Sequence, residues 1–194
     1  PTVADATRCG PGPVTLSVSC ADPALLTRWY ANAQGGSPIP APDTSNVTQN
    51  ATYYVTCYNA QLNCESDRVP INIIINPGPS ASGTPTHVAC NGAATGAINL
   101  NPSGGAPPYS FAWSASNGGA IPSGQADDED LSGLVAGTYS VIVTDSKGCI
   151  GNAEVVISQP PLVLPYITKD PVFASTPCNV NPTQAQNQIN TAFN

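Results

Sequence analysis

The sequence predicts an all-β protein of small domains, on three observations: frequent Gly and Pro, few charges and short β-branched runs. Among 194 residues there are 21 Pro and 17 Gly, and charged residues make up only 9%. Helical bundles, coiled coils and charged disordered tails all need more Lys, Glu and Arg than this. Short apolar runs between Gly and Pro instead favour strands joined by turns.

The charge and hydropathy of the chain exclude two classes of partner. The formal net charge is −7, whereas nucleic-acid binding requires clustered Lys and Arg that neutralise phosphates. No apolar stretch approaches the roughly 18–20 residues of a membrane-spanning helix. The sequence also shows no signal peptide and no Met, so we expect a mature or excised fragment.

Four strand-like runs predict a first domain at residues 1–76. Cys20 continues the apolar face of the first run, and Cys57 lies on the apolar face of the third. Trp29 lies between them in the sequence, and the order Cys, Trp, Cys is typical of the immunoglobulin sandwich, where a disulfide joins two sheets beside a tryptophan. The runs are 14–18, 26–30, 52–58 and 69–75.

The cysteines of the first domain predict two disulfides. We pair Cys20 with Cys57 because both point inward, and by elimination Cys9 with Cys64. Spacing leaves the other pairings among these four cysteines open. Seven cysteines without a C-x-x-C pair, in a chain with few charges, indicate disulfides rather than zinc or redox chemistry, and therefore an extracellular setting.

A second domain is predicted at residues 86–160, after a linker at 77–85 that its prolines hold extended. Asp145 to Gly148 form a hairpin turn in this prediction. A Cys90–Cys149 disulfide follows if the domain folds alone. The strand-like runs are 97–100, 109–113, 139–143 and 153–157.

The remaining residues, 161–194, change character. We interpret them as a linker followed by the start of a further, incomplete repeat. A helical pattern follows Pro182. Cys178 is left unpaired in this fragment, and its partner is expected beyond Asn194.

Ordered motifs run through the second domain. They are Cys90-Asn91-Gly92, Gly96-Ala97-Ile98, Gly104-Gly105, Pro108 through Ser114, Leu131-Ser132-Gly133-Leu134, Gly137-Thr138-Tyr139, Val143-Thr144-Asp145 and Gly148-Cys149. Together they resemble a known family, the SprB-type repeat of very large surface adhesins in gliding Bacteroidetes.

The first domain resembles the bacterial immunoglobulin-like module often found in the same proteins. That module usually carries one cysteine pair, whereas this domain has four cysteines. The motifs are Cys9 through Leu16, Arg28-Trp29-Tyr30, Gly35-Gly36 and Thr52-Tyr53-Tyr54-Val55.

The two resemblances imply tandem immunoglobulin-like β-sandwiches without enzymatic activity. They also imply export by the type 9 secretion route and display at the cell surface as a filament. The partners expected are neighbouring repeats or filament subunits, with polysaccharides or solid surfaces as further ones.

An acidic loop is the candidate cation site. Asp127, Asp128 and Asp130, with Glu129 between them, offer the oxygen ligands that Ca²⁺ accepts, and Asp145 is a possible further ligand. Acidic loop tips are more often only solvated, and the spacing lacks the alternation of an EF-hand.

Two further metal or catalytic arrangements are weaker. His87 and Cys90 form H-x-x-C, half of a metal site, although a lone His beside a structural Cys is more often a plain strand residue. No Ser lies in a nucleophile motif, and the chain has a single His, which argues against nucleophilic catalysis.

Surface recognition is the alternative function. Tyr30, Tyr54 and Tyr58 are expected to face outward, where aromatic side chains could bind a polysaccharide. The sequons at Asn46 and Asn50 are interpreted as coincidental in an Asn- and Thr-rich chain.

Overall fold

The structure is a computed structural model that describes residues 1–162. The predicted third repeat, the helix predicted after Pro182, and Cys178, predicted to be unpaired, all lie outside the described residues. Within the described part the regular elements are all strands, which confirms the all-β prediction. They are β1 (Thr2–Ala4), β2 (Ala6–Cys9), β3 (Ser17–Ser19), β4 (Leu26–Tyr30), β5 (Ala51–Asn59), β6 (Cys64–Glu65), β7 (Val69–Asn76), β8 (Pro79–Thr86), β9 (Gly96–Gly104), β10 (Ser110–Ser116), β11 (Leu131–Leu134), β12 (Gly137–Thr144) and β13 (Ile150–Ile157).

The first compact unit is built from three stretches of chain, Pro1–Ala81, Pro102–Ser110 and Ile142–Asn152. Its main sheet has the order β2-β7-β5-β4, with β6 paired to β5, and β1 pairs separately with β3. β2 runs parallel to β7, while β5 is antiparallel to both of its neighbours. The unit therefore combines the N-terminal strands with two stretches from much later in the sequence.

The core of the first unit lies on one face of this sheet. Val55, Ile71 and Ile73 are buried there, and Cys57 lies on the same face of β5 as Val55. These residues alternate with polar or half-buried ones along β5 and β7, as expected for strands with one apolar face.

The second unit comprises Ser82–Asn101, Phe111–Val141 and, among the described residues, 153–162. The later strands form two three-stranded sheets, with the orders β11-β9-β8 and β10-β12-β13. Tyr139 is fully buried and its hydroxyl donates to the carbonyl of Val135 at 2.8 Å. The indole N–H of Trp113 donates to the carbonyl of Asp128 at 2.9 Å, so both large aromatic side chains have their polar atoms satisfied.

The segment predicted as a linker, 77–85, is largely a strand. β8 covers Pro79–Thr86 and is at the end of its sheet order, next to β9. Proline cannot donate to a ladder, but an edge strand tolerates it because one side of the strand has no partner. The backbone is extended here, as the prolines predict, and most of the segment also belongs to a sheet.

Candidate functional site at the Cys9–Cys149 crosslink

The disulfides differ from the predicted set in one important respect. Cys20–Cys57 forms as predicted, with the Cα atoms 5.8 Å apart. Cys9, however, is bonded to Cys149, with a Cα separation of 5.3 Å. The predicted pairs Cys9–Cys64 and Cys90–Cys149 are therefore wrong.

The two remaining described cysteines have different states. Cys64 is a free, exposed thiol, while Cys90 is disulfide-bonded. The prediction failed because it assumed that each domain closes its own bridges. The first compact unit instead contains both the stretch that carries Cys9 and the one that carries Cys149.

β2 sets the position of Cys9. It runs alongside β7 with Cys9 opposite Asn76, and the N–H of Gly10 donates to the Asn76 carbonyl at 2.8 Å. A Cβ added at Gly78 would lie 3.3 Å from the carbonyl oxygen of Ile150. The backbone that leaves β7 thus passes directly beside the residue that follows Cys149.

Asp145 holds the turn that presents Cys149. Its Oδ1 accepts the N–H groups of Lys147 and Cys149, both at 2.9 Å, and its Oδ2 accepts the N–H of Ala106 at 3.0 Å. The main-chain N–H of Asp145 also donates to the carbonyl of Cys149. The N–H of Gly148 donates to the carbonyl of Asp145 at 3.0 Å, which closes the turn. The predicted hairpin turn is confirmed, and the aspartate is its organising side chain.

The environment of Asp145 favours its charged form. Burial alone raises the pKa of this carboxyl group, because a charge is poorly solvated there. The N–H donors of Cys149, Ala106 and Lys147, with the positive charge of Lys147, outweigh burial and hold the pKa below its ordinary value of 3.8. A carboxylate that accepts several backbone N–H groups behaves in this way.

Two glycines allow the backbone segments around the crosslink to approach closely. A Cβ at Gly151 would collide with the carbonyl oxygen of Pro79, and one at Gly105 would lie 2.7 Å from Oδ2 of Asp145. A side chain at Gly151 would push β13 away from the start of β8. A side chain at Gly105 would push the backbone of residues 105–106 away from Asp145. The crosslink therefore lies in tightly packed backbone.

A second polar cluster lies on the face of the main sheet opposite Val55. The hydroxyl of Tyr30 donates to Glu65 at 2.6 Å, and the hydroxyl of Thr56 donates to the same carboxylate at 2.9 Å. The guanidinium of Arg68 lies 3.5 Å from the centre of the Tyr30 ring, and that of Arg28 lies 3.2 Å from the Tyr58 ring. The two guanidinium groups therefore cover one face of the Tyr30 ring and one face of the Tyr58 ring.

The cluster corrects one expectation and perturbs one carboxyl group. Tyr30, expected to face outward and be accessible, is only 3% exposed, while Tyr54 and Tyr58 are half-buried. The Tyr30 hydroxyl is the main cause of a lowered pKa at Glu65; burial opposes it, and Thr56, Arg28 and Arg68 assist.

Two of the predicted cation ligands, Asp130 and Asp145, accept hydrogen bonds from the backbone of the protein itself. Oδ1 of Asp130 accepts the N–H of Leu100 at 2.9 Å, and both carboxylate oxygens of Asp145 accept backbone N–H groups. In residues 1–162 no three His, Cys, Asp or Glu side chains are grouped so that they could hold a metal ion. The calcium site at Asp127, Asp128 and Asp130 thus has no support from the geometry.

The H-x-x-C pair has a structural explanation as well. Nδ1 of His87 accepts the backbone N–H of Ser158 at 3.1 Å, and Cys90 is disulfide-bonded. Both residues therefore have structural contacts.

The fold and the crosslinks define a class of protein: an all-β chain of sandwich modules that contains disulfides. Comparison with known families makes the class specific. Residues 1–77 match the model of the family described as "Ig-like domain CHU_C associated", and residues 82–118 match that of the "SprB repeat". The resemblance inferred from the sequence is thereby confirmed, in the same order along the chain. Both are structural, adhesin-type families rather than enzyme families, typical of surface-exposed proteins.

The solved structures that match the chain do so at low similarity. The chain is 14% identical to the N-terminal four Ig domains of Dscam1 isoform 6.9, covering 81% of this chain and 43% of that one, with a TM-score of 0.33. It is 17% identical to the mouse nectin-like molecule 4 ectodomain, covering 74% and 57%, with a TM-score of 0.34. The chain thus spans about half the length of these structures.

A search for related curated proteins and a search of the described residues for membrane-spanning helices both gave negative results. No curated protein matches the chain. Among the described residues, no helix is long and apolar enough to span a membrane.

Proposed function

We propose that this chain is a non-enzymatic structural and adhesive segment of a large secreted cell-surface filament. It would act as part of the shaft and contribute to surface attachment or gliding, after export by the type 9 route. Its neighbours would be further repeats of the same filament. Residues 1–76 and 86–160 are the proposed modules, and 161–194 would begin the next repeat.

The Cys9–Cys149 crosslink is the observation that carries the proposal. It covalently joins the start of the Ig-like module to the hairpin that follows β12. Covalent closure of long loops stabilises small extracellular domains whose cores are limited. A passive module exposed to shear and proteases outside the cell benefits directly from such bonds.

Surface immunolabelling tests where the protein acts. Antibodies raised against residues 1–162 should label intact cells of the source organism, and antibody fragments should reduce attachment of those cells to glass or polysaccharide. Labelling that requires permeabilised cells would contradict the proposal. Labelled cells whose attachment and gliding are unchanged would refute the adhesive part alone.

Glycan or surface recognition by a sandwich face is the second candidate. Leu26 is 59% exposed and lies opposite the half-buried Tyr58 in the β4–β5 ladder, so an exposed apolar side chain lies beside this tyrosine. A glycan array should show a specific signal that Leu26→Ser removes. Leu62→Ser is the matched control, because Leu62 is 73% exposed in the turn before β6. A silent array would favour the shaft function.

A further inference from the structure

The Cys9–Cys149 bond determines which residues carry tension when the chain is pulled from its two ends. The bond joins residues 140 positions apart. Force that enters before Cys9 and leaves after Cys149 takes the short covalent route through the two sulfur atoms. We infer that the chain contains a mechanical bypass, in which residues 10–148 lie outside the shortest covalent path between the two ends while this bond is intact. The biological use of the bypass rests on the proposed shaft function.

Few described residues remain in the path of the load. On the N-terminal side they are residues 1–9, with β1 and β2, and on the other side residues 149–162, with β13. Stripping β1 from β3 and β2 from β7 ends at Cys9 and lengthens the chain by about 3 nm at most. The loss of these two strand pairings is small and is confined to the N-terminal end of the described chain.

The shielded ring contains β3 to β12 in full. The Cys20–Cys57 bond also lies inside it, so that bond supports the fold but carries no end-to-end tension. The Cys9–Cys149 and Cys20–Cys57 disulfides therefore have different mechanical roles.

The attachment points of the bypass are firmly held in the first compact unit. Cys149 is fully buried and is fixed by the N–H···Oδ1 bond to Asp145 at 2.9 Å. Next to Cys9, the N–H of Gly10 donates to Asn76 at 2.8 Å. Cys9 and Cys149, the two residues at which the load enters and leaves the bond, therefore belong to one packed unit.

Single-molecule stretching of residues 1–194 between handles attached enzymatically at both ends tests the bypass. The oxidised chain should extend by at most about 20 nm, the contour length of residues 1–9 and 149–194. Adding a reductant to the same molecules should raise the extension to about 70 nm, the contour length of the whole chain. Equal extension before and after reduction would overturn the inference.

Variants assign the effect to one bond. Oxidised Cys20→Ser/Cys57→Ser should still extend by about 20 nm, because its missing bond lies inside the ring. Since Cys90 is also disulfide-bonded, the decisive pair carries Cys90→Ser in both members. Adding Cys9→Ser and Cys149→Ser to that background should lengthen the chain by about 35–40 nm.

Two results in the variants would refute the bypass. One is a longer extension of Cys20→Ser/Cys57→Ser, and the other is no gain when Cys9 and Cys149 are replaced. Contour length depends on covalent connectivity, so a variant that folds poorly still gives an answer. Surface labelling depends on location instead, so the bypass and the proposed function can fail independently.

Discussion

Asp145 and Cys149 bind each other through both main chain and side chain. The N–H of Asp145 donates to the Cys149 carbonyl at 2.9 Å, and the N–H of Cys149 donates to Oδ1 of Asp145 at 2.9 Å. The cysteine that closes the long crosslink is thus placed by an aspartate four residues earlier.

Replacing Asp145 by Asn should destabilise the oxidised protein. The amide keeps one acceptor oxygen but turns an NH₂ group toward backbone N–H donors, leaving them without a partner. We expect the melting temperature to fall by about 5 °C, measured by calorimetry. Asp127→Asn, at an exposed loop position, is the control and should leave it unchanged. Equal effects of the two substitutions would argue against an organising role for Asp145.

The effect of Asp145→Asn should depend on pH. Because the folded-state pKa lies below the ordinary value of 3.8, the carboxylate stabilises the fold above that value, and its contribution is lost as pH falls through the folded pKa. The difference in melting temperature between native protein and variant should therefore be largest above about pH 5 and shrink toward pH 2. A difference that stays constant from pH 7 to pH 2 would contradict this origin.

The two disulfides should differ in their contribution to the free energy of unfolding. Loop-closure entropy predicts a loss of about 5 kcal/mol for Cys9→Ser/Cys149→Ser and about 4 kcal/mol for Cys20→Ser/Cys57→Ser. Guanidinium unfolding measures both. Cys64→Ser removes an exposed free thiol and should change stability by less than about 0.5 kcal/mol. A cost for Cys64→Ser as large as that of either pair would indicate that Cys64 is bonded.

Gly151→Ala should be strongly destabilising although it adds a single methyl group. That group would collide with the Pro79 carbonyl oxygen, and shifting packed backbone typically costs about 1–3 kcal/mol. Asn152→Ala, at the exposed neighbouring position on β13, is the matched control and should be nearly neutral. A neutral Gly151→Ala, measured by the same unfolding curves, would show that β13 and the start of β8 are not in close contact.

Sequence reasoning located the strands with strong alternation. The runs 52–58 and 69–75 lie within β5 and β7, each of which has one apolar face, and the run Leu26 to Tyr30 is β4. Cys20–Cys57 followed from the same faces. β1, β2, β6 and β11 were not predicted: each has only two to four residues, too few for a period to show.

The main error concerned Cys9, and its cause is physical. Pairing by elimination assumes that a cysteine finds its partner within its own domain, whereas contacts between segments distant in sequence leave no periodic signal. The D-S-K-G-C turn offered a hint, since an Asp that bonds the backbone two residues ahead fixes a turn and here presents Cys149. Nothing in the sequence pointed to Cys9 as the partner.

Tryptic mapping of the unreduced, alkylated protein tests the crosslink most directly. Cleavage after Arg8, Arg28, Arg68, Lys147 and Lys169 separates the relevant cysteines. The structure predicts that peptide 148–169 is joined to peptide 9–28, that 9–28 is also joined to 29–68, and that Cys64 carries the alkyl label. Peptide 148–169 joined instead to 69–147, with Cys64 unlabelled, would mean that each module closes its own bridges and that no bypass exists.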